Sequence, residues 1–213
     1  MPRFGQCVLA LRCRFQHRGW GAVAASLSRN LYGLEHISRW KLDLVAFGGQ
    51  KDSSAVVARE DKAGLESLRT HSSRDLPEAF LVDRICGATR FYMGLRDGQV
   101  GHISWVFSGA DPTPDISLRP GEVEIRYVHT MPKHRRSGLA RAVQATALFE
   151  LKNEGIGAAY AHILRGNHPS EQLFGSLGFI RVAAVTHRRI LGFRFRHIEE
   201  RCKDSLVLSP AKL

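Results

Sequence analysis

Residues 122–153 constrain the fold more than any other stretch, because two different periodicities meet there across a short loop. EVEIRYVHT alternates as a strand does, which places Glu122, Glu124, Arg126 and Val128 on one face and Val123, Ile125 and Tyr127 on the other. GLARAVQATALFELKNEG instead repeats on a helical period, with Leu139, Val143, Ala147 and Leu151 as its apolar stripe and Gly155 as its stop. Between them lies MPKHRRS, basic and brief.

The flanking sequence supplies more elements of both kinds. LDLVAF and AVVARE read as strands separated by the polar GGQKDSS; EDKAGLESLRTHSS and LPEAFLVDRICGA read as helices, the second with Pro77 in its first turn. RFYMGLRDGQVGHISWVFSG reads as a hairpin about Asp97–Gly98, and ADPTPDISLRPG as a loop. After the central helix come the strand AAYAHIL, a short helix in NHPSEQLFGSLGF, and the strands IRVAAVTHRR and ILGFRFRHI. This order describes an α/β (α+β) sheet covered by helices.

Three segments are expected: a basic extension over 1–50, the main domain over 51–200, and a tail over 201–213. Arg3, Arg12, Arg14, Arg18 and Arg29 precede the first acidic residue, Glu35. Trp20, Val23, Leu27, Leu31 and Leu34 recur at helical spacing. Such an amphipathic helix suits an anionic membrane surface, a targeting peptide, or packing on the main domain.

A formal net charge of +11 calls for an anionic partner: nucleic acid, acidic lipid, a phosphorylated cofactor or an acidic carrier protein. Cys7, Cys13, Cys86 and Cys202 form no C-x-x-C pair, so neither zinc nor a disulfide framework is indicated, and a reducing cytoplasm fits best. The histidines show no metal-ligand pattern, so no metal is expected. No apolar run approaches the ~20 residues of a spanning helix.

The basic run PKHRRSGLARAVQ admits three uses: a nucleic-acid patch, a phosphate socket or a plain surface turn. A helix N-terminus offers unpaired N–H groups and about half a positive charge. Ser137, Gly138 and Ala140 are small enough to leave those donors open. Nucleic acid would favour basic and aromatic side chains along a face, and no recognition helix, RNA-binding sheet or zinc finger is present, so no nucleic-acid partner is expected.

Residues 122–182 resemble the GNAT superfamily of acyl-CoA-dependent N-acyltransferases. Its diphosphate loop reads R/Q-x-x-G-x-G/A, matched by Arg135, Gly138 and Ala140, with Pro132 ahead of it. The pattern N-x-x-(A/S)-x-x-L-(Y/F)-x-x-L-G-F is matched by Asn167, Ser170, Leu173, Phe174, Leu177, Gly178 and Phe179.

The resemblance implies a mixed, mostly antiparallel central sheet flanked by helices, and transfer from acetyl-CoA or another acyl-CoA to a primary amine of a small molecule or amino sugar. It places Val128 and Thr130 beside the pantetheine arm, in a gap where the strand before the loop splays from its neighbour. The backbone from Arg135 through Arg136, Ser137, Gly138 and Leu139 to Ala140 would hold the diphosphate. Asn167 would touch the arm from the other side, with Ser170 and Phe174 on the same helix.

Glu124 matches the base glutamate of some members, with Glu122 in reserve; the alternative for Glu124 is a strand carboxylate paired with Arg126 or Arg96. Many members have tyrosine where Phe174 stands, and phenylalanine cannot protonate a thiolate. A coenzyme A thiol with a pKa of about 8.5 leaves tolerably without an acid. Tyr160 and Ser170 are substitutes with simpler structural roles, core packing and a first helical turn. Two alternatives to small-molecule acyl-CoA transfer stay open: an acyl carrier protein as donor, and a non-catalytic module that binds acyl-CoA or docks on a membrane.

Overall fold

A computed structural model of the chain describes residues 32–51, 54–72, 76–111, 117–190 and 193–200, with side chains described from 34 to 186 within those ranges. The helix proposed through Trp20, Val23, Leu27 and Leu31 and the 201–213 tail lie outside the described residues.

Among the described residues eight strands form one sheet in the order β2-β3-β4-β5-β6-β1-β7-β8. They are β1 (Tyr32–Asp43), β2 (Val56–Arg59), β3 (Phe91–Arg96), β4 (Gln99–Phe107), β5 (Glu122–Thr130), β6 (Ala158–Leu164), β7 (Ile180–Ile190) and β8 (Phe193–Glu200). The helices are α1 (Lys62–His71), α2 (Val82–Cys86), α3 (Leu139–Asn153) and α4 (His168–Ser176). Only β5 and β6 are parallel; every other described pair is antiparallel, the mixed sheet that was expected.

One strand departs from the expected segmentation. The sequence sets 1–50 apart as an extension, yet β1 lies inside the sheet, antiparallel to β6 on one edge and β7 on the other. Leu34, taken as the end of a helical stripe, is half exposed on this strand. Two ladders of interstrand hydrogen bonds hold YGLEHISRWKLD as a strand, Leu34 being the single residue it shares with the helical stripe.

Side chains alternate between two cores. On one face α3 and α4 pack with Val106, Val123, Ile125, Ala161 and Ile163; on the other, α1, a 3-10 turn at Glu78–Phe80 and α2 cover Met93, Ile103, Trp105 and Phe107. Glycines bring α3 close to the sheet. A Cβ on Gly94 would stand 2.5 Å from Val143 Cγ2, and one on Gly101 would stand 2.6 Å from Leu139 Cδ2. This close approach sets the N-terminus of α3 at the end of β5.

Candidate active site

The parallel pairing of β5 with β6 is short. It runs from Glu122↔Ala158 to Ile125↔Ala161, after which β6 stays with β1 while β5 continues alone on that side to Thr130. A gap therefore opens between Tyr127–Thr130 and the end of β6, the splay implied by the family resemblance.

A bulge lies at the mouth of this gap. Ile103 pairs with His129 and Trp105 with Arg126, so two residues of β5 oppose Ser104 alone, and Tyr127 takes a left-handed φ of 50°. For a bulky residue that conformation is strained by about 1–2 kcal/mol. Strict alternation put Val128 on the Glu124 face, and the bulge reverses this: Val128 packs on the same core as Val123 and Ile125, while Tyr127 packs on the opposite core. Glu124 and Val128 consequently lie on opposite faces, with the gap between them.

At the end of β5, Pro132–His134 forms a 3-10 turn, Arg135 is extended, Arg136 and Gly138 have φ of +59° and +80°, and α3 begins at Leu139. Arg96 Nη1 donates to the Ser137 carbonyl at 2.9 Å, Ser137 Oγ to the His134 carbonyl at 2.7 Å, and Arg135 Nε to the Thr130 carbonyl at 3.3 Å. These bonds hold the loop but leave its N–H groups alone. Among the described residues no backbone carbonyl accepts from Arg136, Ser137 or Gly138, and the first turn of α3 has no side-chain cap.

A Cβ on Gly138 would meet nothing within 4 Å, so approach to these donors is open. Arg135 and Arg136 are exposed beside them. Leu139 has its side chain in the core, so only its backbone can serve the cradle. Unpartnered N–H donors, flanking cations and free access fit a diphosphate.

Glu124 sits at the closed end of the gap and is 0% exposed. His162 Nδ1 is 3.1 Å from its Oε1, and Arg126 Nε is 3.7 Å from the same oxygen. The His162 approach is off the line of a hydrogen bond, and both carboxylate oxygens lack a donor. A buried carboxylate in this condition is costly until a ligand brings an N–H to it. His162 Nε2 in turn accepts from Arg39 Nε of β1 at 3.1 Å. That bond leaves the imidazole proton on Nδ1, which has no acceptor in line with it.

Glu122, the reserve base, is engaged at both oxygens: Tyr160 donates its hydroxyl at 3.1 Å and the Arg119 N–H donates at 2.9 Å. Its role here is to hold the strand entry. Tyr160, expected in the core, is half-buried on this polar face, and burial together with Glu122 raises its phenol above the ordinary range. Of the two candidate arginine partners of Glu124, Arg126 is near it and Arg96 is committed to the Ser137 carbonyl in the loop before α3.

On α4, Asn167 caps the helix by accepting from the Ser170 N–H, and Phe174 is 3% exposed, packed edge-on against Phe179 with ring centroids 5.0 Å apart. Phe174 offers the gap neither a hydroxyl nor an exposed edge. Arg39 and His162 were missed as site residues; 123 positions separate them, and no local pattern joins them. Among the described residues no three His, Cys, Asp or Glu side chains group as a metal site, and no helix is long and apolar enough to cross a membrane.

The family model described as the acetyltransferase (GNAT) family matches residues 56–179, more than half of the chain. No curated protein matches. Among solved structures, a protein assigned to the GNAT acetyltransferases of Novosphingobium aromaticivorans superposes with a TM-score of 0.51 at 20% identity, covering 72% of this chain and 62% of that one. A Drosophila protein gives 0.53 at 15% identity, covering 84% and 58%. The GCN5-related glucosamine N-acetyltransferase region of a fungal multi-domain β-N-acetylglucosaminidase gives 0.56 at 11% identity, covering 82% and 22%. At these identities the likeness is one of fold, and the chain spans about three fifths of the length of the first two structures.

Proposed function

Because this chain belongs to the GNAT acetyltransferase family, we propose that it moves an acyl group, acetyl in the simplest case, from acyl-CoA to a primary amine of a small molecule or amino sugar. The observation that carries this reading is the pairing, across one gap, of an open N–H cradle with a fully buried carboxylate that has no donor.

When bound, acyl-CoA would supply the thioester carbonyl that the amine attacks. The backbone N–H groups from Arg136 to Ala140 would hold its diphosphate, with charge from Arg135 and Arg136, and Val128 and Thr130 would border its arm. An amine of pKa about 10.4 is neutral in only about one molecule in a thousand or so at pH 7, so a base at the site removes the first obstacle. Glu124 is that base: its empty oxygens accept the ammonium proton, with His162 Nδ1 3.1 Å away but making no hydrogen bond to the carboxylate, and Arg39 holding the imidazole through Nε2. Phe174 donates nothing to the departing sulfur, which leaves as thiolate.

Acetyl-CoA at millimolar concentration should raise the melting temperature of the purified protein, and thiol release over a panel of amines should follow. Glu124→Gln should lower kcat by about 10²–10⁴ while leaving the acetyl-CoA shift in place. Absence of any shift refutes the reading. A shift without turnover on any amine leaves a non-catalytic acyl-CoA-binding domain, which the phenylalanine at 174 would favour.

A further inference from the structure

We propose that His102 is a positioning residue of the donor site, acting through Thr130: it fixes the Thr130 hydroxyl as a hydrogen-bond donor to a polar group lying in the β5–β6 gap. The proposal rests on the acyl-CoA reading above and deepens it.

His102 is on β4, facing α3, and is 0% exposed. Its Nδ1 lies 2.8 Å from Thr130 Oγ1, and its Nε2 lies 3.3 Å from Nε2 of Gln144, itself 0% exposed on α3. The Gln144 amide is the donor to Nε2, so Nε2 accepts and the imidazole proton stays on Nδ1. Nδ1–H then donates to Thr130 Oγ1, and the threonine's own proton is left for another acceptor. Thr130 ends β5 on the edge that β6 has abandoned. The bulge at Tyr127 is what turns this side chain to the α3 face.

Three polar side chains from β4, β5 and α3 thus meet in a core that aliphatic residues would fill as well. Their common feature is position: Thr130 borders the gap, and Gln144 lies on the helix whose N-terminus forms the cradle. The thread ties both halves of the donor site together. Burial, with a smaller contribution from His129, holds the His102 pKa down to about 3, so its Nδ1–H persists at every working pH. The same burial denies it contact with substrate, so His102 is no base.

The test is a double-mutant cycle read by calorimetric titration with acetyl-CoA and by steady-state kinetics. Thr130→Val, isosteric and half-buried, should raise Kd and the KM for acetyl-CoA about tenfold, with kcat and the acceptor KM unchanged. His102→Leu should do the same, and the double variant should be no worse than either. In His102→Asn the amide nitrogen takes the place of Nδ1, so Kd should return to within about twofold of wild type.

Additive losses, or an Asn variant as weak as the Leu variant, overturn the proposal. So does a lowered melting temperature with an unchanged KM, the mark of a purely structural role. If His102→Leu fails to fold, Thr130→Val and His102→Asn read the same hydrogen bond. A wild-type protein that does not bind acetyl-CoA refutes the functional reading and this inference with it; wild-type binding that no variant alters refutes the inference alone.

Discussion

Acidification should destabilise this protein through His102, and the size of the effect follows from its burial. The imidazole is 0% exposed and its folded-state pKa is about 3, against an ordinary value of 6.5. Below pH 6.5 the unfolded chain takes up a proton that the folded chain refuses. Stability is therefore full above 6.5, falls as pH drops, and levels off only below about 3. Between pH 7.5 and 5.0 the linkage relation gives a loss of about 2 kcal/mol from this one group. Urea unfolding of wild type and His102→Asn at both pH values isolates His102 together with its smaller coupling to His129. The wild type should lose about 2 kcal/mol more than the variant on going to pH 5.0. Equal losses would mean that His102 ionises in the folded state as freely as in water, and the buried thread to Thr130 and Gln144 would be refuted.

Gly94→Ala should lower unfolding stability by about 1–3 kcal/mol, since its Cβ would meet Val143 Cγ2 at 2.5 Å and Leu139 Cδ1 at 2.9 Å. Because those residues set the height of α3, acetyl-CoA affinity measured by titration should fall as well. Arg69, with its side chain 6% exposed, donates Nε to the Phe80 carbonyl at 2.9 Å and bridges Glu66 and Asp83. Arg69→Ala should therefore cost about 2–3 kcal/mol in urea unfolding and loosen α1 from α2, seen as faster amide exchange in 82–86.

Some of this molecule is written locally. The period-two run as far as Arg126, the helical stripe from Leu139 to Leu151, the Asp97–Gly98 turn and the Asn167 cap each carry their geometry in a few adjacent residues, and the structure forms each of them. The small residues at 137, 138 and 140 signal open access to the N-terminus of α3 for the same reason: access to a helix N-terminus depends only on the residues that form it.

What needed the tertiary structure is register, strand order and the pairing of distant polar groups. Nothing in YGLEHISRWKLD announces a strand between β6 and β7, because its partners are Ile37↔Leu164 and Ile37↔Val185, far along the chain. The bulge at Tyr127 is one extra residue against β4, invisible to alternation, yet it decides that Val128 and Thr130 leave the Glu124 face. The burial of Glu124, the Arg39–His162 bond and the His102–Gln144 contact likewise arise only when strands and helices distant in sequence close on one another. Local dihedral preference and turn chemistry act over a few residues and so can be read in order, whereas hydrogen bonding across a sheet and exclusion of water depend on which surfaces meet, a property of the folded chain alone.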